Sequence, residues 1–363
     1  MKKAASFALG CKVNQYESEA IAELFAEKGY EIVGIDEEAD VYVINTCTVT
    51  NFGDKKSRQL IRKVKRQNEN AIVAVVGCYA QTAPKELMEI AGVNLVIGTK
   101  DRAQIVEMVE QYDRANGVEN HVSDIMKERV FEPLSIQKLA NRTRAYLKIQ
   151  DGCSQYCSYC IIPYARGPIR SREPQEVVAE VKRLAENGFK EVVLTGIHVA
   201  SYGKDRRDTS LLDILKQVHE VEGIERIRFS SIEPNVVTEE FAQTMAALPK
   251  VCDHFHLSLQ SGCDKTLKEM NRKYDTEKYR QAVATLRKYL PKVALTTDII
   301  VGFPGETEED FRESYAFAEE IGFAKIHVFP YSPKRGTPAA ARKDQLLNAV
   351  KSERSHTLIQ LSD

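Results

Sequence analysis

The sequence predicts two α/β regions in series: an N-terminal parallel-sheet α/β domain over residues 1–115, and a partial (β/α)6 barrel over residues 142–338. Two observations predict it. Short apolar, β-branched runs alternate with segments of helical periodicity along most of the chain, as in parallel sheets covered by helices on both faces. Cysteines stand just past several of those runs, at Cys11, Cys47, Cys78 and Cys153. In β/α barrels that end of a strand is where active sites are built.

In the first region Ala4–Leu9, Val41–Asn45, Ala71–Val76 and Leu95–Ile97 read as strands. Glu17–Lys28, Gly53–Asn68, Pro84–Ile90 and Arg102–Arg114 read as helices. Residues 116–141 are polar and weakly periodic, with Asn116-Gly117 and Glu132-Pro133, and are expected to form a linker. In the second region the strands are Ala145–Ile149, Val192–Thr195, Ile227–Ser230, Phe255–Leu259, Leu295–Val301 and Ile326–Phe329. Helices fit between them at Glu176–Asn187, Leu211–Glu220, Glu239–Leu248, Thr276–Tyr289 and Glu308–Ile321. Thr307-Glu308-Glu309-Asp310 has the pattern of a capped helix start. Past Ser332, Pro333, Gly336 and Pro338 break the pattern, and residues 339–363 are expected to be a C-terminal helical segment built on Lys343–Leu361. No internal repeat at a solenoid period is visible.

With 363 residues and 43 % apolar side chains, both regions can bury a core. Fifty-one Lys and Arg balance 52 Asp and Glu, for a net charge of −1, which excludes a globally basic nucleic-acid binder. Any RNA contact must come from local patches. No apolar run approaches the roughly 20 residues that span a bilayer. The start, Met1-Lys2-Lys3-Ala4-Ala5-Ser6-Phe7, runs quickly into a charged amphipathic stretch, so no signal peptide is expected and the chain is read as cytoplasmic, with no membrane partner. In that compartment the eight cysteines point to metal or catalysis rather than disulfides.

Cys153-x3-Cys157-x2-Cys160 lies in the loop after the first barrel strand. Thiolates are the usual ligands of iron–sulfur clusters, and three of them leave one iron of a four-iron cube open. A structural zinc site is the alternative, and it requires a fourth ligand such as His198. The spacing resembles the motif of the radical S-adenosylmethionine (SAM) superfamily, over roughly Arg142 to Pro338. The resemblance implies that Cys153, Cys157 and Cys160 hold the catalytic [4Fe-4S] cluster and that SAM occupies the open iron. It also implies that Tyr159 lies near the adenine, and that reductive cleavage of SAM yields a carbon radical. Such cofactors supply chemistry beyond the reach of acid–base side chains.

Cys11, Cys47 and Cys78 each follow a predicted strand, within Leu9-Gly10-Cys11, Asn45-Thr46-Cys47 and Val76-Gly77-Cys78. In a parallel sheet the three thiols emerge at one edge and can meet; otherwise they are buried apolar cysteines, common in cores. Gly10-Cys11-Lys12-Val13-Asn14-Gln15-Tyr16-Glu17-Ser18, Asn45-Thr46-Cys47 and Gly77-Cys78-Tyr79-Ala80-Gln81 resemble the N-terminal domain of the methylthiotransferases. The resemblance implies a second [4Fe-4S] cluster on Cys11, Cys47 and Cys78 that handles sulfur. One SAM molecule would donate methyl and another would supply the radical. The implied partners are a tRNA substrate, a sulfur source and an external electron donor such as flavodoxin or ferredoxin. Cys160-Ile161-Ile162-Pro163-Tyr164-Ala165-Arg166-Gly167, Leu194-Thr195-Gly196-Ile197-His198 and His256-Leu257-Ser258-Leu259-Gln260-Ser261-Gly262 resemble the bacterial branch that acts on N6-threonylcarbamoyladenosine beside the anticodon. Other branches act on isopentenyladenosine or on a ribosomal-protein aspartate. A reading from another class is a two-cluster electron carrier, which needs no SAM pocket. The family ordinarily ends in a small β-barrel RNA-binding (TRAM) domain, and no strand series follows the polar helix that reaches Asp363.

The expected SAM contacts are Tyr159, Thr195, Gly196, Ser231, Glu233, Gln260, Asp298 and Val301, all but Tyr159 at or near barrel strand ends. Glu233 and Asp298 also suit helix capping or a local turn. Arg166, Arg170 and Arg172 are expected near the active-site mouth as RNA phosphate contacts. Lys55, Lys56, Arg58, Arg62, Lys63, Lys65 and Arg66 crowd one helix, which fits either a phosphate-tracking face or an ordinary solvated one. Cys252 and Cys263 are read as bystanders.

Overall fold

The computed structural model describes residues 1–136 and 144–362. The end of the expected linker, the first two residues of the expected barrel region (142–143) and residue 363 lie outside the described residues. The fold is mixed α/β with parallel sheets and an open half-barrel, as expected. It divides into two compact units: residues 1–154 with 161–197, and residues 155–160 with 198–363.

The first unit runs β1 (Lys3–Ala8), α1 (Lys12–Glu27), β2 (Glu31–Ile32), β3 (Val41–Thr46), α2 (Asn51–Gln67), β4 (Ile72–Gly77), α3 (Cys78–Thr82), α4 (Pro84–Met88), β5 (Leu95–Val96), α5 (Ile105–Gln111) and β6 (Glu119–Asn120). It continues with β7 (Arg144–Asp151), α6 (Ile162–Arg166), β8 (Arg170–Ser171), α7 (Pro174–Glu186) and β9 (Glu191–Gly196). The first six strands form one all-parallel sheet in the order β2-β1-β3-β4-β5-β6. Every residue of the central strand β3 is buried. Its side chains alternate between two cores. Tyr42 and Ile44 pack with Ile61 and Val64 of α2, while Val41 and Val43 pack with Ile21 and Phe25 of α1 and Ile105 and Val109 of α5. Each such aliphatic or aromatic side chain contributes about 1.5–3 kcal/mol on full burial. Helix α1 begins at Lys12, five residues before the expected Glu17, because Val13 and Tyr16 extend its buried stripe. β7 pairs in parallel with β9 and antiparallel with β8.

The expected linker is more ordered than its polar composition suggested. It supplies β6 as the sixth strand, and it buries Leu134 and Ile136. Tyr16 donates to the Leu134 carbonyl at 2.6 Å, and Glu180 accepts the Ile136 N–H at 3.0 Å.

The second unit contains α8 (Leu211–His219), β10 (Arg226–Phe229), α9 (Glu239–Ala247), β11 (His254–His256), α10 (Asp264–Glu269), α11 (Thr276–Tyr289), β12 (Ala294–Val301), α12 (Glu308–Ile321), β13 (Lys325–Pro330) and α13 (Asn348–Ser362). β11, β12 and β13 are parallel neighbours. The strict alternation along β12 buries Leu295, Thr297, Ile299 and Val301 and leaves Thr296, Asp298 and Ile300 half-buried on the other face. Thr307 and Asp310 form the capping box expected for α12, and Gly322 ends that helix in the left-handed conformation. Among the described residues, no helix is long and apolar enough to cross a membrane.

Candidate cluster sites

Cys11, Cys47 and Cys78 follow the C-terminal ends of β1, β3 and β4, three adjacent parallel strands whose registers pair Ala8 with Asn45 and Thr46 with Gly77. Parallel topology therefore gathers at one sheet edge thiols 36 and 31 residues apart in sequence. All three are free. Gly10 makes the close approach possible. Its φ is +99°, and a β-carbon there would lie 2.6 Å from the Cys47 Cβ and 2.7 Å from its Sγ. Cys11 retains exposed surface, yet protein atoms crowd its sulfur and raise the thiol; Arg166 opposes the rise and Cys78 adds to it. Burial, with Cys78 and Cys11 adding, pushes the Cys47 thiol up to about 12. Cys11 and Cys47 thus both have Cys78 as a neighbour. Among the described residues, no three His, Cys, Asp or Glu side chains converge closely enough for one metal ion.

Gly10→Ala is expected to displace Cys47, because both φ and contact distance forbid a β-carbon. The rate at which a thiol reagent labels Cys47 in the folded variant, expected to differ from wild type, checks this displacement.

A buried ionic network backs the three thiols. Glu17, one helical turn past Asn14 and two turns past Cys11, is fully buried. It meets Arg166 at 2.5 and 3.0 Å, Arg102 at 2.6 Å and Lys148 at 2.7 Å. Asp151 meets Lys148 at 2.5 Å, Arg166 at 3.5 Å and Arg170 at 3.6 Å. Burial works against both carboxylates, but the surrounding cations hold each well below the usual range. Arg102 also pairs with Glu132 at 2.5 Å. Asn14 donates to the Leu9 and Thr46 carbonyls at 2.8 and 3.1 Å, which ties the ends of β1 and β3 together.

The expected RNA role of Arg166, Arg170 and Arg172 is corrected here. Their exposures are 0, 2 and 3 %. Arg166 and Arg170 belong to the network just described. Arg172 pairs with Glu180 at 2.6 Å and donates to the Tyr16 hydroxyl at 3.3 Å. A buried guanidinium held by carboxylates has no reach to an external phosphate. Among the basic residues of α2, Lys55, Lys56, Arg62, Lys63 and Arg66 are exposed, Lys63 being paired with Asp36.

The cysteines of the second motif are placed as follows. Cys153, half-buried in the first unit, donates its N–H to the Gly167 carbonyl at 3.0 Å. Gly152 before it has φ +74°, and a β-carbon there would lie 1.8 Å from the Pro168 carbonyl oxygen. In the second unit, the loop that carries Cys157, Tyr159 and Cys160 is stitched to residues 269–271. Ser158 bonds to the carbonyls of Glu269 and Met270, and the Asn271 side chain donates to the Tyr156 carbonyl. Arg272, which sequence reasoning missed, donates to the Cys157 sulfur at 3.1 Å, to the Tyr159 hydroxyl at 3.5 Å and to the Glu233 carboxylate at 2.8 Å. Glu233 also faces His198 at 3.4 Å. Burial opposes its ionisation, but His198 and Arg272 hold its carboxyl below the usual range. Tyr159 packs edge-on against the buried Phe303, with centroids 6.5 Å apart.

Of the other expected SAM contacts in this unit, Gln260 has φ +70°, a strained backbone for a residue with a side chain. Its N–H bonds to the Asp298 carbonyl and its own carbonyl accepts from Ile300. Asp298 approaches His256 at 3.2 Å, Val301 is buried, and Ser231 is exposed. In the first unit, Thr195 is buried and Gly196 ends β9, where a β-carbon would lie 2.7 Å from Gln150 Oε1.

Comparison with known proteins divides the chain by sequence, with one match that runs through both units. Residues 147–318 match the radical SAM superfamily, and residues 3–98 match a family described as the uncharacterized protein family UPF0004. The threonylcarbamoyladenosine tRNA methylthiotransferase MtaB of Bacillus subtilis is 50 % identical over 100 % of this chain and 81 % of its own length. The MtaB of Aquifex aeolicus is 41 % identical, over 99 % and 87 %. A tRNA-2-methylthio-N(6)-dimethylallyladenosine synthase of Thermoanaerobacter is 38 % identical, over 98 % and 76 %. Among solved structures, the radical S-adenosylmethionine methyltransferase TsrM of Kitasatospora setae superposes with a TM-score of 0.67 at 17 % identity, covering 94 % of this chain and 75 % of that one. That likeness concerns the fold.

Proposed function

Because the chain belongs to the radical SAM tRNA methylthiotransferases, we propose that it replaces the C2 hydrogen of N6-threonylcarbamoyladenosine at position 37 of tRNA with a methylthio group. The observation that carries this reading is the pair of cysteine triplets, Cys153, Cys157, Cys160 and Cys11, Cys47, Cys78, within a chain matched along its full length by a relative named for that reaction. The identities of 50 and 41 % to relatives named for threonylcarbamoyladenosine, against 38 % to one named for dimethylallyladenosine, support the choice of nucleoside.

In this reading residues 1–115 form the sulfur-handling domain, residues 142–338 the radical SAM barrel and residues 339–363 a C-terminal helical segment. A [4Fe-4S] cluster and SAM belong to the radical SAM family. With an external electron donor such as flavodoxin or ferredoxin, they supply a carbon radical able to remove a hydrogen that is neither acidic nor polarised. Cys11, Cys47 and Cys78 would hold a second cluster that would supply sulfur-transfer chemistry from a separate sulfur source, and SAM would also be the methyl donor. The chain's own residues hold these groups. Arg272 fixes the Cys157 sulfur and the Glu233 carboxylate together, and Glu233 offers a charged acceptor to SAM. Thr195, Gly196, Ser231, Gln260, Asp298, Val301 and Tyr159 are the remaining proposed SAM contacts. The exposed cations of α2 offer phosphate contacts to tRNA. The enzyme is read as cytoplasmic.

The test is incubation of reconstituted protein, reductant and SAM with tRNA bearing threonylcarbamoyladenosine or isopentenyladenosine, followed by digestion and mass spectrometry. A gain equal to CH2S on the threonylcarbamoyl nucleoside is expected. A gain only on the isopentenyl nucleoside moves the substrate to the other branch. No gain on either, with both clusters present, removes the tRNA reading.

A further inference from the structure

We infer that Arg166 is a positioning residue for the sulfur-handling cluster, acting through the Cys78 sulfur. This rests on the assignment of Cys11, Cys47 and Cys78 as cluster ligands made above. The Arg166 Nε donates to the Cys78 Sγ at 3.2 Å, while its two terminal nitrogens are held by Glu17 at 2.5 and 3.0 Å and by Asn14 at 2.7 Å. The guanidinium is wholly buried, and so is almost all of Asn14 and Glu17. Its donors are therefore spent in fixed directions: the planar fork is locked by α1, and the remaining N–H has one place to point. Arginine suits this task because a rigid, planar set of donors can serve several acceptors at once, which a lysine ammonium cannot reproduce.

Charge accounting strengthens the argument. Among the described residues of the network, four cations (Arg102, Lys148, Arg166 and Arg170) face three carboxylates (Glu17, Asp151 and Glu132). A buried uncompensated charge is costly. One donor of this net-positive network, the Arg166 Nε, points at the Cys78 sulfur, where a thiolate ligand and the anionic cluster it serves would supply negative charge.

The consequence is electrochemical. Hydrogen bonds to ligand sulfur and nearby charge are among the factors that set cluster potentials. Reduction adds one negative charge to the cluster. A guanidinium on a ligand sulfur stabilises that reduced form, so it holds the midpoint potential up. Arg166 therefore does two things by one contact: it orients Cys78 and it raises the potential of the cluster bound there. Arg272, half-buried, makes the corresponding contact with Cys157 in the other unit, so each triplet has one sulfur held by an arginine.

The experiment uses the full-length chain carrying Cys153→Ala, Cys157→Ala and Cys160→Ala, so that only the sulfur-handling cluster remains. Iron and sulfide are counted, and the cluster is titrated potentiometrically with dithionite and read by electron paramagnetic resonance. Arg166→Met and Arg166→Lys are compared in this parent. The expected result for Arg166→Met is a midpoint lowered by at least about 59 mV, the one-electron equivalent of a tenfold change in the oxidised-to-reduced ratio. Arg166→Lys keeps a cation for Glu17 and Asp151 but loses the fixed fork. It is expected to fold, by circular dichroism, and to show an altered resonance and a smaller downward shift. A folded Arg166→Lys protein that assembles no cluster also supports positioning of Cys78. An Arg166→Lys protein with full iron, unchanged potential and unchanged resonance overturns the inference. So does one that fails to fold, which makes Arg166 part of the scaffold alone. A parent chain with no cluster at all contradicts the ligand assignment itself, a failure distinguishable from the others.

Discussion

Replacing Cys11, Cys47 and Cys78 by alanine is expected to abolish methylthio transfer while leaving reductive cleavage of SAM in place. The two triplets lie on different parts of the chain, and in each one sulfur accepts from an arginine. The triple variant should lose about four irons per chain and keep about four, one cube remaining. 5′-Deoxyadenosine should still accumulate with dithionite, while the modified nucleoside drops below detection by mass spectrometry. The reciprocal variant, with Cys153, Cys157 and Cys160 replaced, should retain about four irons and release no 5′-deoxyadenosine. Normal methylthio transfer by the first variant would show that the sulfur does not pass through that triplet.

Glu17→Gln is expected to be the most damaging single substitution for stability. The carboxylate is fully buried and serves Arg102, Lys148 and Arg166 together. Removing one partner of a buried ionic contact costs roughly 3–5 kcal/mol, because the cations left behind remain desolvated. By contrast, Asp36→Asn breaks an exposed pair with Lys63 and should change stability by less than about 1 kcal/mol. Urea denaturation of the metal-free protein measures both. The pH dependence has a definite sign. The folded protein holds the Glu17 carboxyl well below its usual range through Arg102, Arg166 and Lys148 acting against burial. That contribution is complete above the unfolded value, about 4.3, and is lost as pH falls through the lower folded value. Wild-type stability should therefore decline in acid more steeply than that of Glu17→Gln. A Glu17→Gln loss below about 1 kcal/mol would mean that the network is solvated, contrary to its burial.

The long elements were legible because their periodicity spans several turns. Thr276–Tyr289 and Glu308–Ile321 were read to the residue, and Glu308–Ile321 is anchored by its capping box. The elements missed were short: β2, β6 and β8 have two residues each, and α3, α6 and α10 five or six. Segments that short carry no periodic signal, and tertiary packing decides them. The placement of Cys11, Cys47 and Cys78 just past parallel strand ends was legible from the alternation of strands and helices. The residues that brace them were not, because the contacts are remote: Arg166 meets Glu17 across 149 positions, and Arg272 meets Cys157 across 115. Three arginines within seven residues look like a phosphate patch until the fold supplies carboxylates from α1, β7 and α7. One signal was available: Lys148 interrupts the buried strand β7, and a charge in such a run needs a partner.

The most direct measurement is the iron and sulfide content of the full-length protein, purified or reconstituted without oxygen. About eight irons and eight sulfides per chain are expected, two four-iron cubes on six cysteines. About four of each would leave Cys11, Cys47 and Cys78 without a cluster and contradict the account of how this chain handles sulfur.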